Sequence, residues 1–295
     1  MLHEIHHGPP GFPLGVYVNQ IPADAPEGTR FIYTHFHHHL EFIWIRSGAF
    51  QFELEGEGIT VRAGDIVIVG SGRIHGGGAL TGVACDAVSI VFDLRLLFGS
   101  AVADRSAEQY LASLLERQYE LPTTLSGSTE LGVRLRSHII RLVAVHEAAE
   151  PGAELLIKAM LLQCFYELAR AGAYIRIGND KLRRSDRNTE RLKEILLFID
   201  AHLAEKLPVA RLAAHLHLSS AHFHAFFRMH TGQSPVEYIN GLRLARAKAL
   251  LSSSASLTTQ EAAQRVGFDN VSYFIRCFKK RYGVTPMMSS MMTFH

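Results

Sequence analysis

The feature that most constrains this chain of 295 residues is a repeat close to its end. Phe223, Phe227, Gly232 and Pro235 recur fifty-one positions later as Phe274, Phe278, Gly283 and Pro286. Two aromatics four residues apart lie on one helical face, and a glycine followed by a proline closes one helix and opens another. Each copy therefore predicts a helix, a tight turn and a second helix. In copy two, Thr258 with Glu261 forms a capping box, Ala263 lets the helices cross closely, Gly267 suits a left-handed C-cap and Asn270 caps the second helix. In copy one, Pro208 fits the first helical turn, Ala213 is the close-packing residue and Ser219 is the cap. Ser234-Pro235-Val236-Glu237 is a further capping box, which launches a long helix through Arg243, Arg246 and Lys248 to Leu251 and joins the two units.

Charge is divided in the same way. Residues 1–180 hold 13 Lys+Arg against 20 Asp+Glu, a balance of −7, and residues 181–295 hold 17 against 8, a balance of +9. A basic rear behind an acidic front fits a chain whose rear alone meets a polyanion, and fits equally a helical domain that is merely rich in basic residues. The chemistry of DNA reading asks for the layout of the repeat: a helix enters the major groove, outward side chains reach base edges, and nearby basic groups hold phosphates.

Residues 262–286, Ala-Ala-Gln-Arg-Val-Gly-Phe-Asp-Asn-Val-Ser-Tyr-Phe-Ile-Arg-Cys-Phe-Lys-Lys-Arg-Tyr-Gly-Val-Thr-Pro, resemble the signature of the AraC/XylS family of bacterial regulators, and Thr231 to Pro235 and Arg243 to Leu251 match as well. The resemblance covers about residues 190–287. It implies double-stranded DNA as a partner, with Arg276 as a base reader beside Asn270, Val271 and Ser272, and with Lys279 and Lys280 on phosphates. In the first unit it implies Ser219, Ala221, His222, His224 and Arg228. There the position equivalent to Arg276 is Ala225, so the first recognition helix is poor in long donors and is expected to read shape or phosphates instead. The family's usual aromatic and arginine after the last proline are absent, and a frayed last helix is expected. The resemblance also implies contact with RNA polymerase and favours activation over repression.

The front reads as strands to about Phe92. Phe42 to Ile45 ends at Gly48, Phe50 to Leu54 alternates apolar with polar, Ile59 to Arg62 resumes after a glycine turn, Ile66 to Val69 is an apolar run, and Val83 to Phe92 is longer. Short strands with glycine turns predict a sandwich or barrel. On a continuous strand His35, His37, His39 and Glu41 share one face. With Gly48, Gly64, Gly72 and His75 they resemble the two motifs of the cupins, though Gly70 and Ala79 replace the usual proline and asparagine. The resemblance implies that His35, His37, Glu41 and His75 are able to hold a divalent metal. His35, His37, His39, Glu41 and His75 are equally suited to a small organic effector, sugar-like by its hydroxyls, and a satisfied structural cluster is a third reading. His38 is expected at the surface and Trp44 in the core. Arg46 and Arg73 are read as solvated, with pairing to an acidic ligand as the alternative, and His3, His6 and His7 as a tail or a flap.

From about Ser106 the period turns helical. Leu131, Leu135, Ile139, Leu142 and Val143 form one stripe, and Leu155, Ala159, Leu162, Phe165, Tyr166 and Ala169 another. Both are read as core, with a homodimer face as the functional alternative. The expected fold class is α+β in two domains. Residues 1–176 form a cupin-like β-barrel with a helical dimerisation segment, 177–188 the linker, and 189–295 an all-α domain of two helix-turn-helix units joined by a long helix. Cys85, Cys164 and Cys277 are scattered and read as reduced thiols. No apolar run is long enough for a membrane, and no signal pattern is visible, so a soluble cytoplasmic protein is expected. The expected function is a ligand-responsive transcription regulator. A metal-dependent cupin oxygenase or isomerase with an appended DNA-binding domain is the enzyme alternative, which substrate turnover would reveal. An architectural DNA binder without ligand control is the third, which a steep salt slope would reveal.

Overall fold

A computed structural model describes residues 7–9, 11–26, 29–98, 104–178, 187–253 and 257–293. The chain divides into two compact units, Leu2–Thr189 and Glu190–His295.

The front unit is built on antiparallel strands: β1 (Leu14–Ile21), β2 (Arg30–His35), β3 (Leu40–Leu54), β4 (Glu57–Arg62), β5 (Ile66–Val69), β6 (His75–Gly78) and β7 (Cys85–Phe92), followed by the short β8 (Tyr119–Glu120), β9 (Thr124–Leu125) and β10 (Ile175–Arg176). The two strands expected on either side of Gly48 are one strand of fifteen residues. Its first half pairs with β5 and β7, and its second half with β4 and β6. The ladder to β7 slips between Ile45 and Ser47, and Gly48 follows with φ +72°. A Cβ at Gly48 would lie 1.7 Å from the Ala84 carbonyl oxygen, so glycine is what permits the bend.

The two faces of the sheet carry two cores, and the bend lets both halves of β3 contribute to the inner one. Ile43, Ile45, Phe50, Phe52, Val67, Val69 and Ala87 pack together inside the barrel. Phe42, Ile66, Ile68, Val88, Ile90 and Phe92 alternate with them and pack, with Trp44 beside them, against the helices. Those helices are a short α1 (Ser113–Leu115), α2 (Glu130–Ala148) and α3 (Ala153–Arg170). Thr129 caps α2 by accepting from the Gly132 amide, and α2 ends at Ala149 in the left-handed region. The α2 stripe is the core face, with Leu135, Ile139, Leu142 and Val143 buried. The α3 stripe is corrected. Its buried face is Ile157, Met160, Leu161, Cys164, Phe165 and Leu168, while Leu155, Leu162 and Tyr166 are 74%, 46% and 60% exposed. Phe165 of the expected stripe is buried, but apolar residues surround α3, so helical period alone also drew in residues of its outer side.

Cys85 and Cys164 are buried thiols, and Cys277 is half-buried. Arg46 and Arg73 are not simply solvated: Arg46 chelates Asp86, and Arg73 pairs with Glu55 at 2.8 Å. His38 is exposed. Ile177 still donates to the Gln118 carbonyl at 2.9 Å, and the next helix begins at Arg187.

The rear unit contains α4 (Arg187–Ala201), α5 (Val209–His215), α6 (Ser220–Thr231), α7 (Pro235–Ser253), α8 (Thr259–Arg265), α9 (Val271–Tyr282) and α10 (Pro286–Thr293). Pro208 is the residue before α5, in extended backbone, one position earlier than expected. The Thr258–Glu261 capping box is formed, and the Ser234–Glu237 contacts are its equivalent at α7. The two turns match bond for bond: Leu218 donates to Ala213 and Phe268 to Ala263, each at 2.9 Å. The left-handed position is Gly267 in one turn and His217 in the other. No frayed end is seen to Thr293, because Pro286–Thr293 is helical. Among the described residues no helix is long and apolar enough to cross a membrane.

Gly48→Ala is expected to destabilise the front unit by on the order of 2–4 kcal/mol, since both the clash and the left-handed backbone oppose it. The protein has a single tryptophan, Trp44 in β3, so urea unfolding followed by tryptophan fluorescence reads this unit directly.

Candidate functional site

The barrel interior is apolar except at one end, where β2, β3 and β6 bring together the histidines. Alternation along β3 that turns Ile43 and Ile45 inward turns Glu41 inward as well, and Glu41 is buried. His75 opens β6 and pairs in register with His35, the last residue of β2. His37 follows in the connection between β2 and β3, so these residues do not lie on one strand. Their expected convergence holds nevertheless. The ring nitrogens of His35, His37 and His75 approach within 4.8 Å of one another. Glu41 Oε2 lies 3.3 Å from His37 Nε2 and 3.1 Å from His75 Nε2.

His39 is the residue the alternation argument misplaced. Its carbonyl accepts from His37 Nδ1 at 3.1 Å, while its ring packs at the edge, 4.8 Å from His7. His7 is buried, its Nδ1 2.8 Å from the Tyr17 hydroxyl and its ring 5.7 Å from that of His37. Of the two readings given for the N-terminal histidines, His7 takes the covering one; His3 and His6 lie outside the described residues. Tyr17 was missed, because nothing in the spacing links it to a histidine ten residues away.

The tautomers follow from the second partners. His35 Nδ1 faces the Tyr33 carbonyl at 2.6 Å, His37 Nδ1 that of His39, and His75 Nδ1 that of Arg73 at 3.0 Å. A carbonyl only accepts, so each Nδ1 carries a proton and each ring turns its Nε2 toward the centre. His75 Nε2 is buried and, although close to Glu41, has no aligned hydrogen bond. Burial by itself would raise the Glu41 carboxyl, but the His37 and His75 imidazoles beside its Oε2 outweigh that and hold the group well below the usual carboxylate range. Burial, then the neighbouring imidazoles His75 and His37, pushes His35 well down. Burial with His39 and His37 lowers His7 to about 4. Such a set accepts hydrogen bonds from hydroxyls, and three imidazoles with a carboxylate also suit a divalent cation.

On the rear unit, Phe223 and Phe227 in α6 and Phe274 and Phe278 in α9 are buried, which leaves the opposite face of each helix outward. Ala221, His222, His224, Ala225 and Arg228 are exposed on α6, and Ser272, Arg276, Lys279 and Lys280 on α9. Val271 is half-buried against the core. Ser219 and Asn270 each accept from a backbone amide, of His222 and Tyr273, and so act as caps. Tyr273 was not anticipated. Its hydroxyl accepts from Asn240 of α7 at 3.2 Å, and the Arg276 guanidinium lies 5.4 Å from its ring centre.

Residues 212–288 match the model of a helix-turn-helix domain, and residues 23–91 that of a cupin domain. The rear of the chain thus carries a helix-turn-helix domain and the front a cupin domain. The chain is 22% identical over 258 residues to the uncharacterized HTH-type transcriptional regulator YdeC of Bacillus subtilis, covering 87% of this chain and 85% of that one. It is 28% identical over 171 residues to the HTH-type transcriptional activator RhaS of Escherichia fergusonii, covering 56% and 59%. Regulatory protein PocR of Salmonella typhimurium is 32% identical over 109 residues, covering 37% of this chain and 36% of that one. The chain thus spans about a third to three fifths of the length of these last two relatives. Among solved structures, ToxT from Vibrio cholerae O395 superposes with a TM-score of 0.46 at 14% identity, over 95% of this chain and 98% of that one.

The shifts fix a pH dependence. His7, His35 and His39 titrate lower in the folded protein than the ordinary 6.5, so their contribution to stability is full above that pH and is lost as the pH falls below it. Glu41, also depressed, adds a loss in the same direction below its ordinary 4.5. The urea midpoint read by Trp44 should therefore fall between about pH 7.5 and about pH 5. A midpoint that rises would mean that the histidines are charged when folded.

Proposed function

We propose that this chain is a cytoplasmic, effector-controlled activator that reads DNA with α6 and α9 and binds a sugar-like molecule at the histidine cluster of its barrel. The observation that carries the reading is the pair of matching helix-turn-helix units, each with an outward second helix and exposed basic residues (Arg228 in one; Arg276, Lys279 and Lys280 in the other). Activation through RNA polymerase contact draws support from the relative RhaS, which is named a transcriptional activator. A homodimer is supported by the outward apolar row Leu155, Leu162 and Tyr166 of α3. An effector controls DNA occupancy as far as it binds two states of the protein unequally.

The test is selection of genomic fragments by the purified full-length chain at near-physiological salt. A recurrent motif with half-sites about one helical turn apart supports the reading. Diffuse, salt-sensitive retention, with or without added sugars, counts against it. On the selected site Arg276→Ala should cost ~1–3 kcal/mol and much less on random DNA, as a lost bidentate base contact would. Lys279→Ala should weaken both alike. Equal losses for Arg276→Ala would make it a phosphate ligand.

A second reading of the barrel is favoured by the unpartnered Nε2 of His75 and the carbonyl-fixed tautomers: His35, His37, His75 and Glu41 hold a divalent cation, through which an effector hydroxyl is held. Equilibrium dialysis against Zn2+, Ni2+ and Mn2+ separates the two. Stoichiometric metal that His35→Ala and His75→Ala both abolish supports the cation. Sugar binding that survives a chelator supports direct recognition.

A further inference from the structure

Outside the barrel, on the helix-facing side of its sheet, lies a cavity of about 60 Å3. Leu40 and Ile68 of the sheet, Leu114 and Ile177 give it apolar walls, and Arg73, Arg117 and Glu120 give it charge. His35, His37, Glu41 and His75 do not line it, so it is separate from the site described above.

Two features of the arginines point to a ligand. Arg73 directs one terminal nitrogen to Glu55 at 2.8 Å and the other toward Glu120 at a loose 3.6 Å, and its buried Nε has no hydrogen-bond partner. Arg117, an exposed residue that also lines the cavity, has φ +57°, and its guanidinium has no ion pair among the described residues. A bulky residue in left-handed backbone is strained, and glycine would relieve the strain. What arginine adds at this position is a guanidinium on the cavity.

The cavity also adjoins the exit from the front unit. β8 pairs with β10, and Ile177, itself part of the wall, donates to the Gln118 carbonyl at 2.9 Å. In sequence, Ile177 stands ten residues before the first residue of α4. An occupant would touch one of the last residues tied to the barrel before the chain runs on to the DNA-reading half.

We propose that this cavity is a second ligand site, for a small organic acid with a compact apolar body. The carboxylate sits at Arg117 and the Arg73 Nε, and occupancy fastens the β8–β10 ribbon against the sheet. The site stands on its own geometry, and its use in regulation rests on the reading of the chain as a DNA-binding regulator.

The test uses the full-length chain, with propanoate as the probe, small enough for the cavity, and 1-propanol as its uncharged counterpart. Calorimetry should show the acid binding about tenfold or more tighter than the alcohol, the order expected for charge-assisted hydrogen bonds. Arg117→Gly should abolish that preference while leaving the Tm equal or higher, because it removes left-handed strain; misfolding is thereby excluded as the cause. Leu114→Trp, which fills the cavity, should weaken both ligands. The acid should slow amide exchange at residues 175–177 severalfold and should change affinity for the selected DNA site. Equal binding of acid and alcohol, or an Arg117→Gly protein that keeps the preference, overturns the site. Unchanged exchange at residues 175–177 overturns the coupling. A chain that binds no DNA site yet keeps the acid preference refutes the regulator reading and leaves the site standing.

Discussion

Between Ile45 and Ser47 the β3 ladder slips, and at Gly48 the backbone enters the left-handed region against the Ala84 carbonyl. That bend allows one strand to serve two sheets and so to close the barrel. The slip also shifts the strand's parity, so Ile43 and Ile45 before it and Phe50 and Phe52 after it share the inner core, while the opposite face of the first half meets α2 and α3. Glu41 shares the inward parity of Ile43, so the strand that builds the apolar core also brings one carboxylate into it. A buried carboxylate needs positive or donating partners, and His37 and His75 are the groups that the neighbouring strand ends supply.

The rear unit depends instead on capping and on one crossing. Ser219, Ser234, Thr258 and Asn270 satisfy helix-start amides within three residues of themselves. The long α7 is held to the turn after α4 by Arg243, which donates to the Leu203 and Glu205 carbonyls at 2.9 and 2.6 Å. Gly267 sits against the same turn, where a Cβ would lie 2.8 Å from the Leu203 and Ala204 oxygens. The glycine read as a C-cap therefore has a second duty, close approach to a segment some sixty residues earlier, which no local pattern reveals.

Legibility followed the range of the interaction. The capping boxes and repeated turns were readable because donor and acceptor are neighbours in the chain. The histidine cluster was readable as a set of residue types, but the argument that placed His39 in it assumed an unbroken strand, and the chain leaves β2 at His35. The α3 stripe failed for a related reason: with apolar residues all round, only contact with Phe42 and Phe92 through Phe165 decides which side turns inward. Arg73 and Arg117 could not be linked at all, because the cavity they line is assembled from segments more than a hundred residues apart.

The sequence by itself determined the two-part division, the paired helix-turn-helix units, their caps and the residue types in the barrel. These rest on hydrogen bonds and periodicities spanning a few residues, which the order of side chains specifies directly. Tertiary structure decided which histidines face Glu41, which side of α3 is left outward and where the outer cavity lies. Each of those depends on which distant side chain or apolar surface the packed chain presents, and burial in a shared core is what makes that choice.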